Sequence, residues 1–396
     1  MQYLAVLGRQ PEISLAELSA QFRGAKQKND NVALFFADRE PDIDRLGGSL
    51  KLAKRLKSSP KEYLESLPEG KITLGVSDYS SRGASARRAN GEALKLKKAL
   101  KRAGRSVRVL PNSDPAISTA AAHHNSLGKK PRAVELMLVD GEWFTSLGAQ
   151  NITAYARRDQ ARPARDAKVG MLPPKLAQIL INLCGPLKPG SRLLDPFCGT
   201  GVLLQEAYLL GLVPYGTDLS ERMVEYSERN LRWLADKEKF ASQRPVGARQ
   251  RETERGSPMA MGRADASARS DFSLSAGNAV FFRWTPPIDA VACETYLGPP
   301  MSTPPAEIKL KAVKQECGSI ILGFLKNIAP QIAENTPLTL AVPAWLRPDG
   351  SYSRLNILDE IENLGYNVEK KLGASPLLYF RTGQVVAREI LILRKK

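Results

Sequence analysis

Two acids and two glycines are the residues in this sequence best placed to do chemistry. In Ser191-Arg-Leu-Leu-Asp-Pro-Phe-Cys-Gly-Thr-Gly-Val-Leu-Leu-Gln-Glu-Ala207 a short apolar run ends in Asp195, a tight turn carries Gly199 and Gly201, and a helix opens at Val202. A strand, a glycine turn and a helix in this order let backbone approach a ligand at the carboxyl edge of a parallel sheet. Glycine suits the turn because a side chain would block that approach. An acid at the strand end can take a ligand's ammonium group or hydroxyls. Val213-Pro-Tyr-Gly-Thr-Asp218 reads as the next strand and again ends in an acid. An acid about 20 residues past a glycine turn is where a ribose diol is held. Leu204 stands where a dinucleotide fingerprint needs a third small residue, and the loop lacks the Lys of a phosphate-cradling loop.

Asp-Pro-Phe-Cys-Gly-Thr-Gly resembles the first motif of class I S-adenosylmethionine methyltransferases that modify nucleobase amines. A second constellation, Ala290-Val-Ala-Cys-Glu-Thr-Tyr-Leu-Gly-Pro-Pro-Met301, fits that resemblance. An apolar strand ends in Glu294, where amine-modifying methyltransferases carry Asp/Asn-Pro-Pro-Tyr. Acceptors at that position aim an amine at the methyl donor, and an aromatic stacks on the extruded base. Aligned on the glycine, Glu294 takes the place of the acid, Thr295 and Tyr296 those of the prolines, and Leu297 that of the aromatic. A shift of one residue places Tyr296 at the aromatic instead. The acid is one methylene longer than the usual Asp, and the prolines are lost. Asn278, in Ala276-Gly-Asn-Ala279, follows the intervening strand, where such enzymes use Asp or Asn to bond the adenine amine; Gly-Asn is also an ordinary turn.

The elements that must position these residues occupy a long chain. Its 396 residues suffice for two or three domains with cores of their own. With 58 basic and 41 acidic residues the net charge is +17, which suits a polyanionic partner such as nucleic acid, or else a solvated basic surface. No apolar run approaches the roughly 18 residues of a membrane span. The N-terminal segment meets a charge too early for a signal peptide. Cys184, Cys198, Cys293 and Cys317 form no Cys-x-x-Cys pair and read as reduced residues of a cytoplasmic protein. Cys198 and Cys293 fall at strand ends beside the proposed site, so a nucleophilic role is their alternative reading. His123 and His124 have no metal-ligand company, and no metal is expected.

Along the chain, residues 1–58 read as a small α+β module. It has a strand at 2–7, a helix opened by a Ser14–Glu17 capping box, a strand at Asn31–Ala37 and a helix from Ile43 to Leu56. Residues 60–153 read as a second α+β module. It contains a basic helix from Asn90 to Ala103, either phosphate-facing or merely solvated, and a hairpin turning at Asp140-Gly141. Residues 154–173 are basic and punctuated by Pro and Gly, and read as a connector. Residues 174–396 alternate strands and helices as a doubly wound α/β sheet. Within them, 238–271 nearly lacks branched aliphatics and reads as a mobile insert.

Several blocks together are similar to the THUMP-domain tRNA guanine-N2 methyltransferases, which methylate guanosine at position ten of tRNA. They are Tyr3-Leu-Ala-Val-Leu-Gly-Arg-Gln-Pro-Glu-Ile-Ser-Leu-Ala-Glu-Leu18, the connector from Arg157 through Pro174 into Leu183, the Asp195 motif, and Tyr379-Phe-Arg-Thr-Gly-Gln-Val-Val-Ala-Arg-Glu-Ile390. The resemblance implies a Rossmann-like class I methyltransferase domain preceded by ferredoxin-like and THUMP α+β modules, with tRNA as partner. It implies a cofactor site at Asp195, Phe197, Gly199, Gly201, Asp218 and Asn278, and a catalytic acid at Glu294 with Tyr296 beside it. The connector arginines Arg157, Arg158, Arg162 and Arg165 are expected to meet phosphates. Two other readings stay open: a DNA adenine or cytosine amine methyltransferase, and a catalytically silent RNA-binding protein that retains the cofactor. A small helper subunit is also left open.

Overall fold

A computed structural model describes residues 1–166, 171–243, 272–369 and 376–396. The chain divides into two compact units, one formed by Met1–Tyr155 and the other by the described residues from Ala156 on. Most of the segment read as a mobile insert, 244–271, lies outside the described residues, while 238–243 continue a helix.

The first unit is built on one eight-stranded sheet. Its elements are β1 (Gln2–Leu7), α1 (Pro11–Gln21), β2 (Arg23–Asn29), β3 (Val32–Phe36), β4 (Ser49–Arg55), α2 (Pro60–Glu65), β5 (Ile72–Asp78), α3 (Ala86–Arg102), β6 (Val107–Val109), α4 (Thr119–His124), β7 (Ala133–Val139) and β8 (Glu142–Ala149). The strand order is β2-β3-β1-β4-β8-β7-β5-β6. Antiparallel pairing of β4 with β8 carries the sheet from the first 58 residues into the residues that follow. Period two is plain in β1. Tyr3, Ala5 and Leu7 enter one core with Leu18 and Phe35, while Leu4 and Val6 enter another with Met137 and Phe144. The hairpin turns at Asp140 and Gly141, both at positive φ, as its sequence indicates.

Two expectations for this unit are corrected. The helix read from Ile43 to Leu56 is one short 3-10 turn, Ile43–Arg45, followed by strand β4. Strand partners on both sides, β1 and β8, override the helical spacing of the leucines. Ser14 and Glu17 do not open a helix, which begins three residues earlier at Pro11. They lie buried within α1 and bind the turn before β4. Ser14 Oγ donates to the Gly48 carbonyl, and the Glu17 carboxylate accepts from the Gly47 and Gly48 amides at 2.9 and 2.8 Å. A capping box does occur at Ser59 and Glu62, opening α2.

The second unit contains α5 (Ile152–Gln160, which begins in the first), α6 (Pro174–Leu183), β9 (Arg192–Asp195), α7 (Val202–Leu209), β10 (Val213–Asp218), α8 (Glu221–Gln243), β11 (Ser273–Ala276), β12 (Ala290–Glu294), α9 (Glu307–Ile328), β13 (Pro337–Leu346), β14 (Tyr352–Arg354), α10 (Leu358–Asn363), β15 (Tyr366–Val368), β16 (Leu378–Tyr379) and β17 (Val386–Lys395). The main sheet order is β11-β10-β9-β12-β13-β17-β15. Strands β9 to β13 run parallel, and β17 lies antiparallel between β13 and β15. This is the Rossmann-like α/β architecture expected for the domain. From β9 the chain winds outward through β10 to β11, then returns to β12 on the other side of β9. That reversal opens a crevice at the carboxyl ends of β9 and β12, where ligands bind in such sheets. A large core under α9 packs Ile321, Phe324 and Leu325 against strand residues including Val291, Leu338 and Trp345.

The first unit buries an ion pair. Lys51 Nζ donates to Glu135 Oε1 at 2.5 Å and to the Ile117 carbonyl at 2.6 Å, and Ser77 Oγ also donates to Glu135. Lys51→Met should destabilise the protein by about 3–5 kcal/mol, because it strands a buried carboxylate. Adding Glu135→Leu should restore most of that loss. Denaturant unfolding of both variants checks the expectation.

Candidate functional site

The two acids read from the sequence are joined through the glycine turn. Gly199 N donates to Asp218 Oδ2 at 2.9 Å, and Ser220 N donates to Asp218 Oδ1 at 2.9 Å. The ends of β9 and β10 are thereby fixed to each other. Gly201 sits at φ +78° as the residue preceding α7, and a Cβ there would stand 2.8 Å from Ser227 Oγ. Gly199, at φ +50°, faces open space where a Cβ would project. One glycine is therefore required by α8, and the other leaves a free backbone surface. Ser227 Oγ donates to the Gly199 carbonyl, and Asn230 Nδ2 to the Thr200 carbonyl, so α8 holds the turn from behind.

Asp195 is 3 % exposed and accepts a hydrogen bond from the Phe197 amide at 3.1 Å. Burial raises its pKa well above the ordinary carboxylate range, and the neighbouring Asp218 and Glu294 add to the rise. Phe197 packs edge-on against Phe324 of α9, with ring centroids 5.4 Å apart. Asn278 is exposed, with Oδ1 accepting from the Val280 amide in a local turn.

Glu294, at the end of β12, has a partner that the sequence did not reveal. Arg388 Nε of β17 donates to Glu294 Oε1 at 2.7 Å, with side chains only 7 % and 13 % exposed. Burial raises the Glu294 pKa, and the guanidinium opposes that rise. Arg388 lies in the tail segment that contributes to the family resemblance, but 94 residues separate the partners and no local spacing signals the pair. Tyr296 is 37 % exposed just beyond the strand, next to Glu316 of α9. Thr295 is buried and bonded to the Ala341 carbonyl through its amide and its hydroxyl.

Cys198 and Cys293 flank the acids. Burial pushes both thiols well above their ordinary pKa, which leaves them protonated and poorly nucleophilic at neutral pH. Among the described residues no group of His, Cys, Asp and Glu is arranged to hold a metal ion.

The four connector arginines separate into two kinds. Arg157 and Arg165 are exposed. Arg158 instead forms an ion pair with the buried Glu206 of α7, Nε to Oε1 at 2.6 Å. Arg162 is buried at 3 % exposure. The first pair faces solvent, whereas the second pair is committed to the interior of the domain.

Residues 162–252 match the sequence model of a family described as RMKL-like, methyltransferase domain. Over 75 residues the chain is 48 % identical to a tRNA (guanine(10)-N2)-dimethyltransferase of Methanothermobacter thermautotrophicus, covering 18 % of this chain and 22 % of the relative. Over 107 residues it is 45 % identical to the enzyme of the same name from Methanocaldococcus jannaschii, covering 27 % of this chain and 30 % of that one. The matched stretches thus span less than a third of either relative. Among solved structures, TrmN from Thermus thermophilus aligns over the whole of both chains at 22 % identity with a TM-score of 0.44.

The buried Asp195 has a measurable consequence. Its pKa is raised on folding above the unfolded value of about 3.9. Its contribution to stability is therefore fully present below about pH 4 and lost as pH rises through the folded pKa. Asp195→Asn keeps the acceptor for Phe197 N and cannot ionise. The variant should melt above the wild type at pH 8, with the difference closing toward pH 4. Thermal melts across that range read it directly.

Proposed function

We propose that this chain is an S-adenosylmethionine-dependent tRNA methyltransferase that modifies the exocyclic amine of a guanosine, with position ten as the target. The observation that carries the reading is the Asp195–Gly199–Asp218 arrangement at the switch point of a Rossmann-like sheet. It lies in the stretch that matches the methyltransferase family model. The names of the relatives supply the substrate class.

The residues present fit the cofactor. Open space at Gly199 leaves backbone free for close approach, and Asp195 is a buried acid suited to a cationic group. S-adenosylmethionine, when bound, supplies an electrophilic methyl group. Asp195 and the Gly199–Gly201 turn hold its methionine end. Asp218 is oriented by two amides and retains lone pairs for the ribose hydroxyls. Asn278 serves the adenine.

Glu294 accepts a hydrogen bond from the guanine amine and aims the nitrogen at the methyl position. Arg388 supports that role by fixing one carboxylate oxygen and favouring the ionised, acceptor-only form. The longer Glu thus works from a clamped position. Tyr296 stacks on a base drawn out of its helix. In this reading residues 1–58 form a ferredoxin-like domain and 60–153 a THUMP domain that grips tRNA in the cytoplasm, with 154–173 as connector and 174–396 as the methyltransferase domain. Exposed Lys98, Lys101 and Arg102 of α3, with Arg157 and Arg165, meet phosphates.

Incubation with methyl-labelled cofactor and total tRNA, followed by nucleoside analysis, tests the proposal. N2-methylated guanosine is the expected product, and label in any other nucleoside, or in none, overturns it. Asp218→Ala should weaken cofactor affinity by about tenfold or more, as the loss of a buried acceptor implies. Glu294→Gln should slow single-turnover methylation by roughly a hundredfold, the usual cost of one preorganised group, and spare cofactor affinity. Full activity in Glu294→Gln would remove that residue from the mechanism.

A further inference from the structure

Lys314 of α9 and Arg347, just past the end of β13, converge on one neutral group. Lys314 Nζ donates to Ser353 Oγ at 3.4 Å, and Arg347 Nη2 donates to the same oxygen at 3.3 Å. Ser353 lies buried in β14. With two donors on its oxygen, its own O–H is left to donate. Among the described residues no acid forms an ion pair with either cation: Glu389 is taken by Arg354 at 2.7 Å, and Asp349 bonds the amide and hydroxyl of Ser351. Burial lowers the Lys314 pKa, and the Arg347 charge lowers it further against the pull of Glu307. Two like charges and a hydroxyl that all present donors are completed by an anion with several acceptor oxygens.

This cluster stands close to Glu294. Strand β12 pairs with β13 as far as Glu294 opposite Ala341, and β17 fills the other edge of β13. Strand β14 then takes up the β12 edge, from Arg354 opposite Ala344 to Tyr352 opposite Leu346. It therefore lies on the extension of β12, with Ser353 about 13 Å beyond Glu294 along the strand direction. A Cβ on Gly298 would stand 2.8 Å from Val313, so the loop after Glu294 packs on the turn of α9 that bears Lys314. Beside the donors is an aromatic surface. The Tyr352 ring lies 5.6 Å from that of Phe380, with 35° between their planes, and Phe380 is 40 % exposed. Donors for a phosphate next to aromatic faces for a base are the two parts of a site for single-stranded nucleic acid.

We propose that Lys314, Arg347 and Ser353 bind a backbone phosphate of the RNA strand beside the nucleotide being modified, and that Phe380 and Tyr352 stack on a neighbouring unpaired base. This assignment deepens the tRNA reading given above and rests on it.

Binding of tRNA by the full chain across a range of salt concentrations, with methylation measured alongside, tests the assignment. The double variant Lys314→Gln/Arg347→Gln should bind tRNA about tenfold more weakly, and the slope of log affinity against log salt should become shallower by about one. Phe380→Ala should weaken binding by about tenfold with an unchanged slope, because stacking releases no counterions. Cofactor affinity should match the wild type in both. tRNAs carrying a single uncharged methylphosphonate near the target guanosine locate the contact. One position should cost the wild type about tenfold and the double variant nothing. A wild type indifferent to every such substitution overturns the assignment without recourse to any variant. So does a double variant with wild-type affinity and slope, or one that responds to each methylphosphonate as the wild type does. If the wild type methylates tRNA and only these responses are missing, the assignment alone fails. If it neither binds nor methylates tRNA, the functional reading fails and the assignment with it.

Discussion

Three acids gathered at the carboxyl edge of the second sheet are the constraint around which the rest of this domain is arranged. Asp195, Asp218 and Glu294 come from three neighbouring strand ends, and burial raises the pKa of Asp195 and of Glu294. Each is managed differently. Asp218 is stabilised by two backbone amides, Glu294 by the Arg388 guanidinium, and Asp195 by a single amide. The least compensated acid is the one at the centre of the crevice.

Arg162 carries the complementary problem, a buried cation whose Nε and Nη1 have no hydrogen-bond partner among the described residues. The hydrogen bonds through Asn230 and the ion pair at Glu206 keep the connector in place against these costs. The first unit handles its own buried charge more completely, since Lys51 and Glu135 bond each other and each has a further partner in Ile117 or Ser77.

Much of the second domain was legible before any coordinates, for a local reason. A strand that ends in an acid, a turn that needs glycine and a helix that follows are all encoded within some fifteen residues around Asp195, and Asp218 and Glu294 likewise close short apolar strands. The hairpin at Asp140-Gly141 was legible for the same reason, because positive φ at two successive positions restricts residue type. Where local pattern and tertiary pairing disagreed, pairing won. The leucines from Ile43 to Leu56 carry helical spacing, yet β4 is paired along both edges by β1 and β8, and its burial does not follow the strict alternation that would have marked it. Ser14 and Glu17 have capping-box spacing, yet their side chains reach Gly47 and Gly48, some thirty residues away.

What the sequence by itself determined is the identity and order of the chemical groups: two acids framing a glycine turn, a third acid at a later strand end, and the alternation that makes a doubly wound sheet. Only the tertiary structure decided which charges face each other. Arg388 could be matched to Glu294 only once β17 had inserted beside β13 and brought the two across the sheet edge. Four connector arginines look equivalent as a basic run, and only packing against Glu206, Asn230 and Met171 separates the two that face solvent from the two that face inward. Residue type and spacing constrain what a chain can do locally. Burial and long-range pairing set the energy of each charge, and these depend on neighbours the sequence places far away.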